Sequence, residues 1–215
     1  MSSSTEVLST PEELAYELRA AESSIWTGGR LFIGIATFAF ASLAFAYFYL
    51  RSANSMNLWR PKGITAPTGL GAAIFAIVLA SSALNFYGNY RLRKGSDLDW
   101  KVTGWTAVFG ALLATGLQIY ELTRLPFFPG SSGYASTFIA WAGMNIAFLL
   151  GAAYWLETLL ARAMRLRKAL EEDGGAARSR LPSARLFRVN VESCGYFWGF
   201  LSLASLIFWL LFYVV

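Results

Sequence analysis

The sequence predicts an all-α polytopic membrane protein, a bundle of five transmembrane helices with a short amphipathic helix at the N-terminus. Three observations carry that prediction. Five apolar stretches, 31–50, 69–87, 105–122, 136–160 and 191–215, each come close to or exceed the roughly 20 residues that cross a hydrocarbon core. Charged residues are only 14% of the 215, against about a quarter in a soluble domain, and they crowd between the apolar stretches. The stretches are also far too long for barrel strands, which leaves the helix as the form that satisfies every backbone amide in lipid.

The N-terminal segment 1–30 reads as cytoplasmic. Thr10-Pro11-Glu12-Glu13 supplies an N-cap, a proline at the first helical position and a capping-box glutamate. Leu14, Leu18, Ala21 and Ile25 then recur at helical spacing, so a short amphipathic helix is expected, lying on the membrane surface or on a partner subunit. The competing reading is a solvated, partly frayed tail. Glu6, Glu12, Glu13, Glu17 and Glu22 are the opposite of the basic start of a signal peptide.

Residues 31–215 read as one transmembrane domain. The first span carries Phe38, Phe40, Phe45, Tyr47 and Phe48 all round one helix, which fits burial and lipid contact equally well. Arg30 and Arg51 bracket that span and are candidates for lipid phosphates at opposite interfaces. Between the second and third spans lies a basic turn with Arg91, Arg93 and Lys94. The third span ends in Gln118, Glu121 and Arg124, spaced i, i+3, i+6, so Gln118 is expected to meet Glu121 and Glu121 to meet Arg124 at the outer interface. In the fourth, Ala147 and Gly151 form a loose small-xxx-small pair, and Glu157 lies near its end. A polar connection runs from Glu171 to Pro182 as a loop. In the fifth, Arg188 and Glu192 are spaced to pair, and Gly195-xxx-Gly199 is a helix-packing pattern. For Glu121, Glu157 and Glu192 structural ion pairing ranks first, partner docking second and proton transfer a distant third. The glycine pair serves close packing inside the subunit or, as runner-up, a partner's helix. Trp26, Trp59, Trp100 and Trp105 near the span ends suit an interfacial aromatic belt.

Lys and Arg are distributed unevenly, with 14 of the 18 on one side of this topology and Arg51, Arg60, Lys62 and Arg124 on the other. The positive-inside rule then puts the N-terminus in the cytoplasm and the C-terminus outside. The asymmetry accounts for the net charge of +5, and nucleic-acid binding is not needed to explain it. The chain has no histidine and one cysteine, Cys194. An ordinary redox-metal site therefore cannot be assembled from its own side chains.

Several segments match a known family in order. Residues 31–51 read LFIGIATFAFASLAFAYFYLR, 79–95 read LASSALNFYGNYRLRKG, 117–125 read LQIYELTRL and 133–151 read GYASTFIAWAGMNIAFLLG; VESCGYFWGFLSL follows from Val191. Together they resemble subunit III of the haem-copper oxygen reductases, the cytochrome c and quinol oxidases, in its five-helix form lacking the first two helices. The resemblance covers nearly all of the chain after Arg30. It implies a non-catalytic integral subunit of a terminal oxidase that packs on core subunit I and other subunits, with haem and copper held by those partners and phospholipids at the interface. It also implies a bacterial-type cytoplasmic membrane. The departures are informative. Where the family carries a membrane-embedded glutamate this chain has Ala36, and family histidines fall on Asn145, Phe148, Gly199 and near Asn85 or Phe86, with an aspartate on Ser202. The packing pattern is kept and the proton-handling groups are not. An accessory subunit of a haem-copper nitric oxide reductase is the alternative. A small transporter or channel is a third reading, disfavoured by the lack of inverted repeats, mid-helix prolines and a buried charge pair.

Overall fold

A computed structural model of the chain describes residues 11–54, 59–60, 65–172 and 182–214. The regular structure among them is helical throughout. Helix α1 is Pro11–Ser52, α2 Thr68–Arg93, α3 Asp97–Thr123, α4 Gly133–Glu172 and α5 Pro182–Trp209, and a π-helical turn, Leu210–Val214, continues α5. All five helices are long and apolar enough to span a bilayer, so the chain is a multi-pass membrane protein.

The first correction concerns the N-terminus. Residues 11–30 are not a separate surface helix: α1 runs unbroken through 42 residues, about 63 Å at 1.5 Å per residue. Arg30 marks where composition changes, but the backbone hydrogen bonds pass straight through it. Residues 1–10 lie outside the described residues, Thr10 of the capping box included. Along residues 18–29 the inner face of the extension, Leu18, Ile25, Trp26 and Gly29, is turned toward the bundle. Glu22 forms an ion pair with Arg185 that ties α1 to the start of α5. The second correction concerns the polar connection after the fourth span. Glu171 and Glu172 belong to α4, which at 40 residues also outruns the bilayer, and Pro182 opens α5; 173–181 lie outside the described residues.

Helix α5 is the hub, packed on α1, α2 and α4, while α2 pairs with α3 and α4 closes against α3 and α1. The α2–α3 turn is tight. Gly95 adopts φ 91°, and the amides of Gly95 and Ser96 each reach α2 carbonyls at 3.0 Å. Arg91 Nε donates to Asp99 across the turn at 2.6 Å. Facing inward, Phe40 and Tyr47 are buried, whereas Phe38, Phe45 and Phe48 are exposed, so the aromatic first span divides into a packed face and an uncovered one. Trp100 is wholly buried and so is no part of an interfacial belt. Its indole N–H donates to Asn89 Oδ1 at 3.1 Å.

Candidate functional site

The densest polar chemistry in the interior is a hydrogen-bonded chain that crosses three helices. Ser205 on α5 donates its hydroxyl to Asn145 Oδ1 on α4 at 3.2 Å. The Asn145 amide donates to Gln118 Oε1 on α3 at 3.0 Å, and the Gln118 amide donates to Glu121 Oε2 at 3.0 Å. From the other side the Tyr213 hydroxyl donates to Glu121 Oε1 at 2.7 Å. Gln118 and Glu121 are both 0% exposed. Every donor in the chain points toward the carboxylate, an arrangement in which each hydrogen bond polarises the next.

The backbone explains why these side chains meet. Gln118 and Glu121 are one turn apart on the inner face of α3, near its end. Asn145 lies twelve residues into α4, or about 18 Å along the axis, so the chain reaches from near one end of the bundle to its mid-depth. The π turn brings Tyr213 to the carboxylate of a residue 92 positions earlier. Two further tyrosines fix that turn. Tyr47 on α1 donates to the Leu211 carbonyl and Tyr134 on α4 to the Phe212 carbonyl, each at 2.8 Å. Both carbonyls belong to the π turn, Leu210–Val214. All four other helices thus touch this turn or the segment leading into it: α1 and α4 through these hydroxyls, α3 through Glu121, and α2 through Gly71, where a Cβ would fall on the Tyr213 ring.

The sequence-derived site residues fare differently. Gln118 does meet Glu121, but Arg124 does not. It is exposed, with its guanidinium 5.2 Å from the Tyr120 ring, while Glu121 turns inward to Tyr213. Arg188 does not pair with Glu192. Arg188 is exposed, and Glu192 is bound at 3.0 Å by Arg93 from α2. Gly195 and Gly199 face α2, against Asn89 and Phe86 respectively, so this pattern serves contact within the bundle. Asn89 also donates to the Val191 carbonyl at 3.5 Å, joining α2, α3 and α5 near the α2–α3 turn. Ala147 and Gly151 point outward. Arg30 is exposed 5.8 Å from the Trp26 ring, and Arg51 donates to the Tyr47 hydroxyl at 3.0 Å. The sequence reading missed Ser205, Tyr213, Tyr134 and Asn89 as participants. Their signal, a polar group on the buried side of an apolar helix, becomes visible only once the buried side is known.

Among the described residues no cluster of Cys, Asp or Glu is placed to hold a metal ion. The single thiol, Cys194, is 1% exposed. What the arrangement does chemically is fasten helices. No family model matches the chain, and no curated protein matches it.

The re-paired Glu192 gives a direct test. Arg93→Gln should lower stability by about 0.2–1 kcal/mol, the worth of a partly exposed pair, whereas Arg188→Gln should leave it unchanged. Thermal unfolding in mild detergent distinguishes the two; equal losses would restore the i, i+4 pair.

Proposed function

We propose that this chain is a non-catalytic integral subunit of a haem-copper terminal oxidase, of the subunit III type, in the aerobic respiratory chain. The observation that carries the proposal is the run of five motifs in family order, from the first span to VESCGYFWGFLSL. Two structural features support it. The polar residues of the third and fourth motifs, Gln118, Glu121 and Asn145, are joined in a closed internal network, as a scaffold requires and a catalytic site does not. The outer face of α4 leaves Gly143, Ala147 and Gly151 uncovered, the kind of small-residue surface on which another subunit's helix packs in lipid.

In this reading the chain packs on subunit I, steadies the core and orders lipid between them. Haem, copper and the proton paths belong to the other chains. Family positions for proton-handling groups hold Ala36, Asn145, Gly199 and Ser202, so proton delivery is not assigned here. The membrane is the bacterial-type cytoplasmic membrane. The end with the α2–α3 turn, which carries most of the Lys and Arg, faces the cytoplasm, as does the N-terminus.

Purification in mild detergent with an optical spectrum tests this. The expected result is co-purification with a haem-bearing subunit, while the separated chain shows no haem or copper absorbance. Stoichiometric metal on the separated polypeptide, or purification without any haem protein, would overturn the proposal. A catalytic partner lacking the oxidase copper-site histidines and cross-linked tyrosine would move it to a nitric oxide reductase.

A further inference from the structure

The buried polar groups fall into two sets. Toward the α2–α3 turn, Asn89 accepts from Trp100 and donates to the Val191 carbonyl. From mid-depth outward runs the chain that begins at Ser205 and ends at Tyr213. About 21 Å of α5 separates Val191 from Ser205. The layer between them is polar on both helices that face it. Ser82 and Asn85 lie one turn apart on the inner face of α2, and α5 brings Trp198 and Ser202, all four buried.

The register of the helices sets Asn85 and Trp198 in one layer. Across the α2–α5 seam, a Cβ at Gly195 would meet Asn89 and one at Gly199 would meet Phe86. Asn85 adjoins Phe86 and lies one turn from Asn89, and Trp198 adjoins Gly199. Across the α2–α3 seam, Gly110 lies at Ser81 and Gly88 at Thr103, which puts Ala107 in the same layer, where its methyl takes up little space. Asn85 is 2% exposed and Trp198 1%. Asn85 Nδ2 has no hydrogen-bond partner in the protein, and Trp198 Nε1 has none beyond the Cys194 sulfur, a weak acceptor. Both atoms can only donate, and buried donors in native interiors are paired with protein or with ordered water. The layer calls for an acceptor small enough to sit among packed side chains and able to donate in turn. An anion would add an uncompensated buried charge. Water meets the conditions, and protein interiors hold roughly one buried water per 27 residues.

We propose that the α2–α5 seam binds an internal water molecule, which accepts from Asn85 Nδ2 and Trp198 Nε1 and donates to Ser202 Oγ. Ser202 gives its own proton to the Trp198 carbonyl at 3.2 Å, which leaves its oxygen to accept. Ser202 is one turn from Ser205, so the water carries the mid-depth chain on toward Asn89. The polar groups then form a file along α5 from Val191 to Tyr213, about 30 Å, the depth of the hydrocarbon core. The site depends on the packing of α2 on α5 alone and stands whether or not the chain belongs to an oxidase.

The test compares side chains at position 85 by thermal unfolding of the full chain in mild detergent. Asn85→Leu is near in size but strands the water, whereas Asn85→Ser keeps a donor and makes room for a second water. With water in the seam, Asn85→Leu should lower the unfolding midpoint by about 2–4 °C, and by more than Asn85→Ser does. In a dry seam the order reverses. Leucine then removes an unpaired donor and raises the midpoint, while serine opens a cavity and lowers it. That reversed order would overturn the proposal. A density map of the full chain that resolves ordered water should also show a peak about 2.9 Å from Asn85 Nδ2. A map showing other internal waters but none at Asn85 would overturn it equally, and this reading needs no variant to fold.

Discussion

Gly71→Leu should destabilise the bundle by about 3–5 kcal/mol, the combined cost of overpacking and of a broken buried hydrogen bond. A Cβ at position 71 falls on the Tyr213 ring. That ring cannot simply swing away, because its hydroxyl holds Glu121 at 2.7 Å and the ring packs edge-on with Phe138 at 5.7 Å and Phe208 at 5.8 Å, centroid to centroid. The leucine therefore expels the tyrosine and strands Glu121 Oε1, leaving the carboxylate only its Gln118 contact. Alkylation of Cys194 provides the measurement, since the only thiol is buried and gains reactivity as the bundle opens. Gly71→Leu combined with Tyr213→Ala should regain part of the loss by making room. If Gly71→Leu alone is as protected as the wild type, the notch is not a close-packed contact.

Gln118→Leu should cost about 2–4 kcal/mol, because it strands two groups, the Asn145 amide and Glu121 Oε2, at about 1–3 kcal/mol each. That exceeds the roughly 0.6 kcal/mol typical of a single interhelical hydrogen bond in lipid, where the unfolded reference also finds partners. Glu121→Gln, which keeps one oxygen for the Gln118 amide and turns its NH2 toward Tyr213, whose hydroxyl can accept as well as donate, should cost less than half as much. The same alkylation assay ranks the two. A reversed order would mean that Glu121 is held by something other than the Gln118 and Tyr213 contacts.

The five spans were legible because hydropathy over about 20 residues does not depend on which face is buried. The tertiary partners were not. An i, i+3 spacing says that Glu121 and Arg124 are near one another along a helix, but not that Tyr213 offers a competing donor from another element. Glu192 was misassigned for the same reason: Arg188 is its neighbour in sequence, yet the packing of α2 on α5 puts Arg93 closer. At the start of α1 the error was different in kind. Arg30 marks a change in composition, and composition boundaries need not coincide with breaks in a helix, so a segment expected to lie flat instead continues α1. Asn145 was read as the loss of a family histidine. The structure shows only that Asn145 is buried and donates to Gln118 Oε1, a partner on another helix that no spacing within α4 announces.

The order in which the helices are made bears on the central place of α5. Chains are synthesised from the N-terminus at roughly 5–20 residues per second, so α1 to α4 emerge before the helix on which three of them lean. Until α5 follows, Asn145 lacks Ser205, Glu121 lacks Tyr213, and the hydroxyls of Tyr47 and Tyr134 lack their carbonyls. A four-helix intermediate thus leaves the groups of Asn145 and Glu121 that α5 and its π turn serve without those partners. Packing of α5 pairs all of them in one step. The bonds that hold the mature bundle therefore depend on α5, and the four preceding helices cannot reach the native arrangement without it.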